Sequence, residues 1–318
     1  MAARECHRKQ CRCLFSHAPL WPQVKFGLTV GSDANRASPL SLTVVWKAVR
    51  VRVNATVWRM DGTIANTQLI QSKGYGPFGG RNMRGTLNIP SEDGEQQYVV
   101  TLRKLTQGAP YGTGVGMELL ADSVFEFNGL STVSEGITLS SPAPPKRAIE
   151  WIGASDTAGY CVDGTADTDG TAKLYLEGWV WDNCDMASPG RLAAMFDAQA
   201  TVVAQGGSGV TQNANARIEL SMGPYPMPPY WQNRTLETAD QPRWDFGSAR
   251  EPDLVVVSLG GNDFNHQHGN VPSNETFNAA YNDFITTILG TYPSATVMSV
   301  CGQGSPAEVR DIGGITLQ

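Results

Sequence analysis

Residues 147–160 read Arg147-Ala-Ile-Glu-Trp-Ile-Gly-Ala-Ser155-Asp-Thr-Ala-Gly-Tyr160, an apolar run that ends at a glycine and is followed by a serine. The run 148–152 does not alternate between apolar and polar residues, which is typical of a strand buried on both faces of a parallel sheet. Further runs of this kind occupy residues 200–204, 254–259 and 295–300. The second half of the chain is therefore predicted to contain a parallel sheet.

Helical patterns lie between these predicted strands. The clearest covers residues 274–289, where apolar side chains recur at helical spacing behind a Ser273 N-cap, and Gly290 and Pro293 are expected to end the helix. Strands that alternate with helices predict an α/β/α domain, with helices on both faces of the sheet. We assign residues 147–318 to this domain.

The first half of the chain shows the pattern of β-strands. Residues 49–58 alternate apolar with polar side chains, and residues 97–105 also indicate a strand. Gly-rich turns separate such runs and no helical period is present, so residues 24–140 are predicted to form an all-β sandwich or jelly roll. A Pro-rich linker at residues 141–146 follows, and the basic leader at residues 1–23 is expected to be disordered.

Composition excludes several classes of protein. The chain has 318 residues, a formal net charge of −6 and a pI of about 5.3, so no basic field would attract nucleic acid. No run reaches the roughly 18 apolar residues that cross a bilayer, so no membrane partner is expected. The basic start of the chain lacks the apolar core of a signal peptide.

The six cysteines are too few and too scattered for a disulfide framework. Cys6, Cys11 and Cys13 lie near histidines in the leader, but their spacing matches no standard zinc pattern. We therefore expect no metal site. The pairing of Cys161 and Cys184 stays open at this stage.

Candidate reactive groups follow the predicted strands of the sheet, at the edge where doubly wound folds bind their ligands. Ser155 follows the first strand and is a candidate nucleophile; Gly207 follows the second, within Gly-Gly-Ser-Gly; Asn262 follows the third, within Gly-Gly-Asn-Asp. A hydroxyl, an unhindered backbone N–H and an amide donor are the minimum for acyl transfer. A single Gly-rich turn is usually only a turn, so the joint placement carries the prediction.

These blocks, in this order, resemble those of the SGNH or GDSL-type hydrolases, and more narrowly the acetylxylan-esterase-like members of carbohydrate esterase family two. The similarity runs from about residue 90 to 302. Its parts are a β-strand stretch at 120–129, the nucleophile block at 147–160, a second block at 205–209, a stretch at 227–246 and the asparagine block at 254–264.

The resemblance implies a jelly roll followed by an SGNH-type domain, and a serine esterase that removes acetyl groups from a carbohydrate such as acetylated xylan. Ser155 would attack the ester, and the N–H groups of Ser155 and Gly207 with the Asn262 side chain would hold the oxyanion. The family implies a secreted monomer without metal or organic cofactor.

The chain departs from the family pattern at two places. Ala154 stands where the family has an aspartate before the serine, and Asp156 stands where an apolar residue is usual. The family's catalytic histidine comes from a block near the C-terminus, whereas no histidine follows His268 here. We therefore expect an incomplete hydrolase domain and impaired catalysis, with His268, or the nearby His266, as the candidate substitute base.

Two rival hypotheses stay open. The chain is alternatively a non-catalytic carbohydrate-binding pseudoenzyme, in which aromatic rings would stack on sugar; the candidates are Trp179, Trp181, Tyr230 and Trp231, although buried core aromatics are the commoner case. The other rival is an SGNH lipase or thioesterase that acts on longer acyl chains.

Overall fold

The computed structural model describes residues 23–32, 39–47, 51–72, 82–106, 126–143, 145–164, 181–214, 226–233, 244–248, 250–265 and 271–300. These residues divide between two compact units. The first holds the described residues up to Lys104 together with those of 126–143, and the second holds residues 105–106 and those from 145 onward. Of the predicted leader only Gln23 is described, and it begins the first strand.

The first unit is built from eight described strands in two antiparallel sheets. The larger sheet has the order β4-β3-β6-β1-β8 and the smaller one the order β5-β2-β7. The strands are β1 (Gln23–Val30), β2 (Leu40–Lys47), β3 (Val51–Arg59), β4 (Ile64–Ser72), β5 (Asn82–Ile89), β6 (Gln96–Lys104), β7 (Glu126–Val133) and β8 (Ile137–Ser140). The predicted all-β architecture of this half is thereby confirmed.

One hydrophobic core joins the inner faces of these two sheets. Val53, Ala55 and Val57 of β3 are at most 2% exposed, as the alternation in the sequence predicts, and Trp46 of β2 is in the same core. Where β4 of one sheet lies beside β5 of the other, side-chain amides of β4 donate hydrogen bonds to backbone carbonyl oxygens of β5. Asn66 and Gln68 donate to the carbonyl oxygens of Asn88 and Thr86 on β5, each at 2.8 Å. An edge strand is thus occupied by side chains.

The second unit contains a four-stranded parallel sheet with the order β10-β9-β11-β12. Its strands are β9 (Arg147–Gly153), β10 (Ala198–Ala204), β11 (Leu254–Ser258) and β12 (Thr296–Ser299). Its described helices are α1 (Ser155–Ala158), α2 (Ser188–Met195), α3 (Met227–Asn233) and α4 (Asn274–Thr291). The predicted parallel sheet is confirmed, and each of its strands falls on an apolar run of the sequence.

Both faces of this sheet are covered, which explains why the strands do not alternate. Val255 and Val257 of β11 belong to the cluster that contains residues of α3 and α4, whereas Val256 belongs to a second cluster with Ala158 of α1 and Leu192 of α2. Successive side chains of a strand point to opposite faces. Helices therefore lie on both sides, as the sequence predicts.

Helix α4 begins where its sequence predicts and ends slightly later. The Ser273 hydroxyl accepts a hydrogen bond from the Thr276 N–H at 3.1 Å, as an N-cap does. The helix continues through Gly290 and ends at Thr291, so the prediction that Gly290 stops it is wrong. Pro293 explains the end, because the residue before a proline avoids the helical region and Tyr292 has φ −125° and ψ 75°.

Glu150 is the polar exception within the central strand β9. It is only 3% exposed, and its carboxylate accepts hydrogen bonds from the Trp231 Nε1–H at 2.5 Å and from the Tyr292 hydroxyl at 3.1 Å. A buried carboxylate is tolerated when donors surround it. Glu150 therefore ties the strand to α3 and to the end of α4.

We predict that Tyr292→Phe lowers the free energy of unfolding by about 1–2 kcal/mol, because it removes one donor from a buried carboxylate. Chemical denaturation measures the change. Thr286→Val is a matched control that deletes an exposed hydroxyl bonded to a carbonyl of its own helix; it should change the stability by less than about 0.5 kcal/mol. Equal stabilities of Tyr292→Phe and the unmodified protein would contradict the assignment.

Candidate active site

Three neighbouring strands of the parallel sheet end at the same level. The register pairs Gly153 of β9 with Ala204 of β10 on one side and with Ser258 of β11 on the other. The chain order reverses at β9, because β10 and β11 lie on opposite sides of it. In doubly wound folds this reversal opens a crevice at the carboxyl ends of the strands. Ser155, Gly207 and Asn262 all lie in loops that begin at this edge.

The first loop is a tight turn that carries Ser155. Ser155 starts the one-turn helix α1, and its carbonyl accepts the N–H of Tyr160 at 2.9 Å. Gly159 ends the helix with φ 70°, a conformation that favours glycine. A Cβ at Gly153 would collide with the Thr157 side chain, so the turn needs glycine there as well. Ser155 is half-buried.

The second loop, residues 205–214, holds Gly207. Gly207 is buried with φ 78°, and its carbonyl accepts the N–H of Ala214 at 2.7 Å. The N–H of Gln205 donates to the Gly153 carbonyl at 3.3 Å, which joins this loop to the first one. Within the described residues, the N–H groups of Gly207 and Ser155 make no hydrogen bond. Such unpaired donors suit an incoming oxygen.

The third loop carries Asn262 and is joined to both others. The Asn262 Nδ2 donates to the Ser208 carbonyl at 2.8 Å, which uses one of its two hydrogens. The Ser258 hydroxyl, at the end of β11, donates to the Asp156 carboxylate at 3.2 Å. Asp156, the residue that departs from the family pattern, thereby connects the serine turn to β11. Hydrogen bonds thus connect these loops to one another or to the neighbouring strand ends, and the three predicted residues lie in loops at one edge of the sheet.

Asp263 is a residue of this edge to which the sequence analysis gave no role. It is fully buried, and its carboxylate accepts hydrogen bonds from the second loop. The signal in the sequence was an acidic residue directly after Asn262, at the end of a buried strand. Strand-end position alone does not reveal that the carboxylate is turned toward backbone N–H groups.

The predicted sugar-stacking residues separate into two kinds. Tyr230 and Trp231 are 3% and 0% exposed and lie in the core, where the Trp231 ring packs against Phe246 at 4.8 Å between centroids. Their predicted role in sugar stacking is therefore not supported, because α3 turns these rings onto the sheet. Trp181 is half-buried, and its carbonyl accepts the N–H of Asp163, just beyond the serine turn. Trp179 lies outside the described residues.

Cys161 and Cys184 are free thiols in the structure. Burial raises the pKa of the Cys161 thiol; a hydrogen bond with Tyr160 lowers it and the Asp182 carboxylate raises it further. A raised pKa keeps a thiol neutral and weakly nucleophilic. The raised pKa therefore gives no reason to add Cys161 to Ser155 as a candidate nucleophile of this turn.

Several predictions concern parts of the chain that the structure does not describe. His266 and His268 lie there, as do residues 301–318, so the substitute base and the incomplete end of the domain stay predictions. Within the described residues, no group of three or more His, Cys, Asp and Glu side chains is arranged to hold a metal ion. None of the helices described is long and apolar enough to cross a membrane.

Comparison with known proteins gives relatives that are named as esterases. No known family model matches the sequence. An acetylxylan esterase / glucomannan deacetylase of Cellvibrio japonicus is 28% identical over 160 residues, which are 50% of this chain and 40% of that protein. The cellulase/esterase CelE of Acetivibrio thermocellus is 31% identical over 168 residues, which are 52% of this chain and 18% of that protein. The chain thus matches less than half the length of these curated relatives.

The fold has counterparts among solved structures. A family two carbohydrate esterase from Clostridium thermocellum, solved in complex with cellohexaose, superposes with a TM-score of 0.62 and 23% identity over 90% of this chain and 72% of that one. These comparisons confirm the resemblance inferred from the sequence: the chain is similar to an acetylxylan esterase / glucomannan deacetylase and to a cellulase/esterase, and it has the fold of a family two carbohydrate esterase.

Proposed function

We propose that this protein is a serine esterase that removes acetyl groups from a carbohydrate. The observation that carries the proposal is that the loops of Ser155, Gly207 and Asn262 lie at one edge of the parallel sheet and are connected there by hydrogen bonds. The names of the relatives supply the substrate class, because one of them is an acetylxylan esterase / glucomannan deacetylase. Acetylated xylan or a similar acetylated polysaccharide is the substrate that we propose.

In the proposed reaction the Ser155 Oγ attacks the acetyl carbonyl carbon and loses its proton. The carbonyl oxygen becomes negative in the tetrahedral intermediate. We assign its stabilisation to the N–H groups of Ser155 and Gly207 and to the second hydrogen of the Asn262 amide. Collapse of the intermediate breaks the ester bond, and the sugar oxygen leaves with a proton. Water then cleaves the acetyl-serine ester and releases acetate.

Donors that are fixed before the reaction are the main physical support for this assignment. Donors held in place cost no reorganisation when charge develops, and removal of one typically lowers kcat by about 10² to 10³-fold. Asn262 is anchored through the Ser208 carbonyl, and the Gly207 loop is anchored to the strand that presents Ser155. The three donors therefore keep their mutual arrangement without substrate.

We propose His268 as the group that accepts the Ser155 proton. The chain has four histidines, and His266 and His268 are those that follow β11 in the sequence. A serine without a base keeps its ordinary hydroxyl pKa, and oxyanion and binding effects alone give about 10³ to 10⁴-fold over water.

The organisation of the chain is also part of the proposal. We infer a jelly roll at residues 24–140, a linker at 141–146 and the hydrolase domain from residue 147. The interleaved strand orders support the jelly roll, since β2 pairs in one sheet while β1 and β3 pair in the other. Residues 105–106 are an exception, because Leu105 packs in a cluster with Trp151 of the second unit.

We predict that Ser155→Ala lowers the release of acetate from acetylated xylan and from p-nitrophenyl acetate by at least about tenfold, because the attacking oxygen is removed. Acetate is measured by a coupled assay. Ser188→Ala is the matched control, since Ser188 is an exposed serine at the first position of helix α2; it should act like the unmodified protein.

The same assay separates the rival functions. Equal rates for Ser155→Ala and the unmodified protein would sink the esterase proposal and favour a carbohydrate-binding protein. A series of p-nitrophenyl esters from acetate to octanoate should favour acetate, as the proposed acetyl specificity requires. A preference for octanoate would replace the acetyl esterase by a lipase or thioesterase.

We predict that Asn262→Ala lowers kcat by about 10² to 10³-fold with little change in KM, because the amide acts on charge that develops only in the transition state. Initial rates on p-nitrophenyl acetate give both constants. Asn282→Ala, at an exposed position of α4, should leave both unchanged. A rise in KM at constant kcat would assign Asn262 to ground-state binding instead.

We predict that the rate rises with pH and then levels off, because only a neutral His268 accepts the proton. In His268→Gln the plateau should disappear and kcat should fall by about 10²-fold. His17→Gln is the control outside the hydrolase domain. A pH profile that is the same in His268→Gln and the unmodified protein would remove His268 from the mechanism.

A further inference from the structure

Asp263 holds the second loop through an unusual set of hydrogen bonds. Its Oδ1 and Oδ2 accept the N–H of Val210 at 3.0 and 2.9 Å, and its Oδ1 accepts the N–H of Gln212 at 3.3 Å. The N–H and the hydroxyl of Thr211 both donate to Oδ1 at 2.6 Å. In return, the Gln212 side chain donates to the Asp263 carbonyl at 2.9 Å. Three consecutive backbone N–H groups thus converge on one fully buried carboxylate.

The loop is shaped to admit this carboxylate. A Cβ at Gly209 would lie 2.6 Å from the Asp263 Oδ2 and would also collide with the Gln212 carbonyl oxygen, so only glycine fits. Within the described residues no lysine or arginine forms an ion pair with Asp263. The backbone dipoles of residues 210–212 therefore provide the compensation that a buried carboxylate requires.

Asp263 and its neighbour Asn262 form hydrogen bonds with the same loop at two points. Asn262 contacts the Ser208 carbonyl, and Asp263 contacts residues 210–212. Gly207 directly precedes the segment 208–212 that these hydrogen bonds hold. A shift of the segment would therefore move the Gly207 N–H and the Asn262 amide relative to each other, and with them two of the proposed oxyanion donors.

We infer that Asp263 is a positioning residue of the proposed esterase, which fixes the Gly207 N–H and the Asn262 amide in the geometry that receives the oxyanion. The inference rests on the proposed function. Asp263 also occupies the N–H groups of residues 210–212, which leaves those of Ser155 and Gly207 for substrate. Asparagine cannot reproduce this set, because its Nδ2 would replace one carboxylate oxygen and would face at least the Val210 N–H as a second donor.

The test compares Asp263→Asn with Asp253→Asn. Asp253 is an exposed aspartate at the opposite edge of the same sheet, where its carboxylate accepts the N–H of Ala148 at 2.7 Å and pairs with Arg250 at 3.1 Å. We expect Asp263→Asn to lower kcat on p-nitrophenyl acetate by about 10²-fold, as a misplacement of about 1 Å does, with KM within about threefold. Asp253→Asn should keep the kcat of the unmodified protein.

Hydrogen exchange of the intact protein, followed by mass spectrometry, provides a readout that does not need catalysis. Peptides that cover residues 205–214 should exchange faster in Asp263→Asn and at the original rate in Asp253→Asn. Thr211→Val is a milder variant for the case that Asp263→Asn does not fold. It deletes only the hydroxyl donor, and we expect a fall in kcat of about three- to tenfold.

The outcomes distinguish the inference from the proposed function. Loss of kcat together with faster exchange in the 205–214 peptides supports the positioning role. An active protein that keeps its kcat in Asp263→Asn, or in Thr211→Val, overturns the inference and leaves the esterase intact. A protein without Ser155-dependent acetate release overturns the proposed function; in that case unchanged exchange in Asp263→Asn overturns the anchoring by Asp263, and faster exchange supports it.

Discussion

The register of the parallel sheet is the constraint on which the candidate site depends. Gly153 pairs with Ala204 and with Ser258, so three loops leave neighbouring strands at one level. Because the loops start side by side, short polar contacts are enough to link them: Gln205 to Gly153, Ser258 to Asp156 and Asn262 to Ser208. A one-residue slip in this pairing would turn every strand side chain to the opposite face.

Burial on both faces maintains this register. Val255, Val256 and Val257 are at most 1% exposed and pack in two different cores. A shifted strand would therefore lose its matching packing partners on both faces of the sheet. Glu150 adds a polar constraint, because its donors Trp231 and Tyr292 come from the elements that cover one face. The sheet is thus specified by apolar packing and by one directional contact.

Much of this arrangement was predictable from the sequence, for reasons that also explain the errors. Strand ends are marked by glycine after apolar runs, and parallel strands end at a common edge, so the placement of Ser155, Gly207 and Asn262 at one edge could be predicted without coordinates. No comparable sequence pattern marks whether an aromatic side chain is exposed or buried. Tyr230 and Trp231 were candidates for sugar stacking, but a helix face decides between core and surface, and α3 turns both rings inward. The end of α4 depended on Pro293 rather than on Gly290 for a similar local reason.

The contrast between Asn262 and Asp263 explains why the sequence suggests a role for one residue and not for the other. The amide can be assigned from chemistry alone, since a donor at a strand end suits an oxyanion. The carboxylate next to it would repel that same oxyanion, so a strand-end argument gives it no use. Its role becomes visible only when residues 210–212 are seen to turn their N–H groups toward it. Those N–H dipoles stabilise the negative charge of the carboxylate, which would allow it to stand beside the proposed oxyanion site.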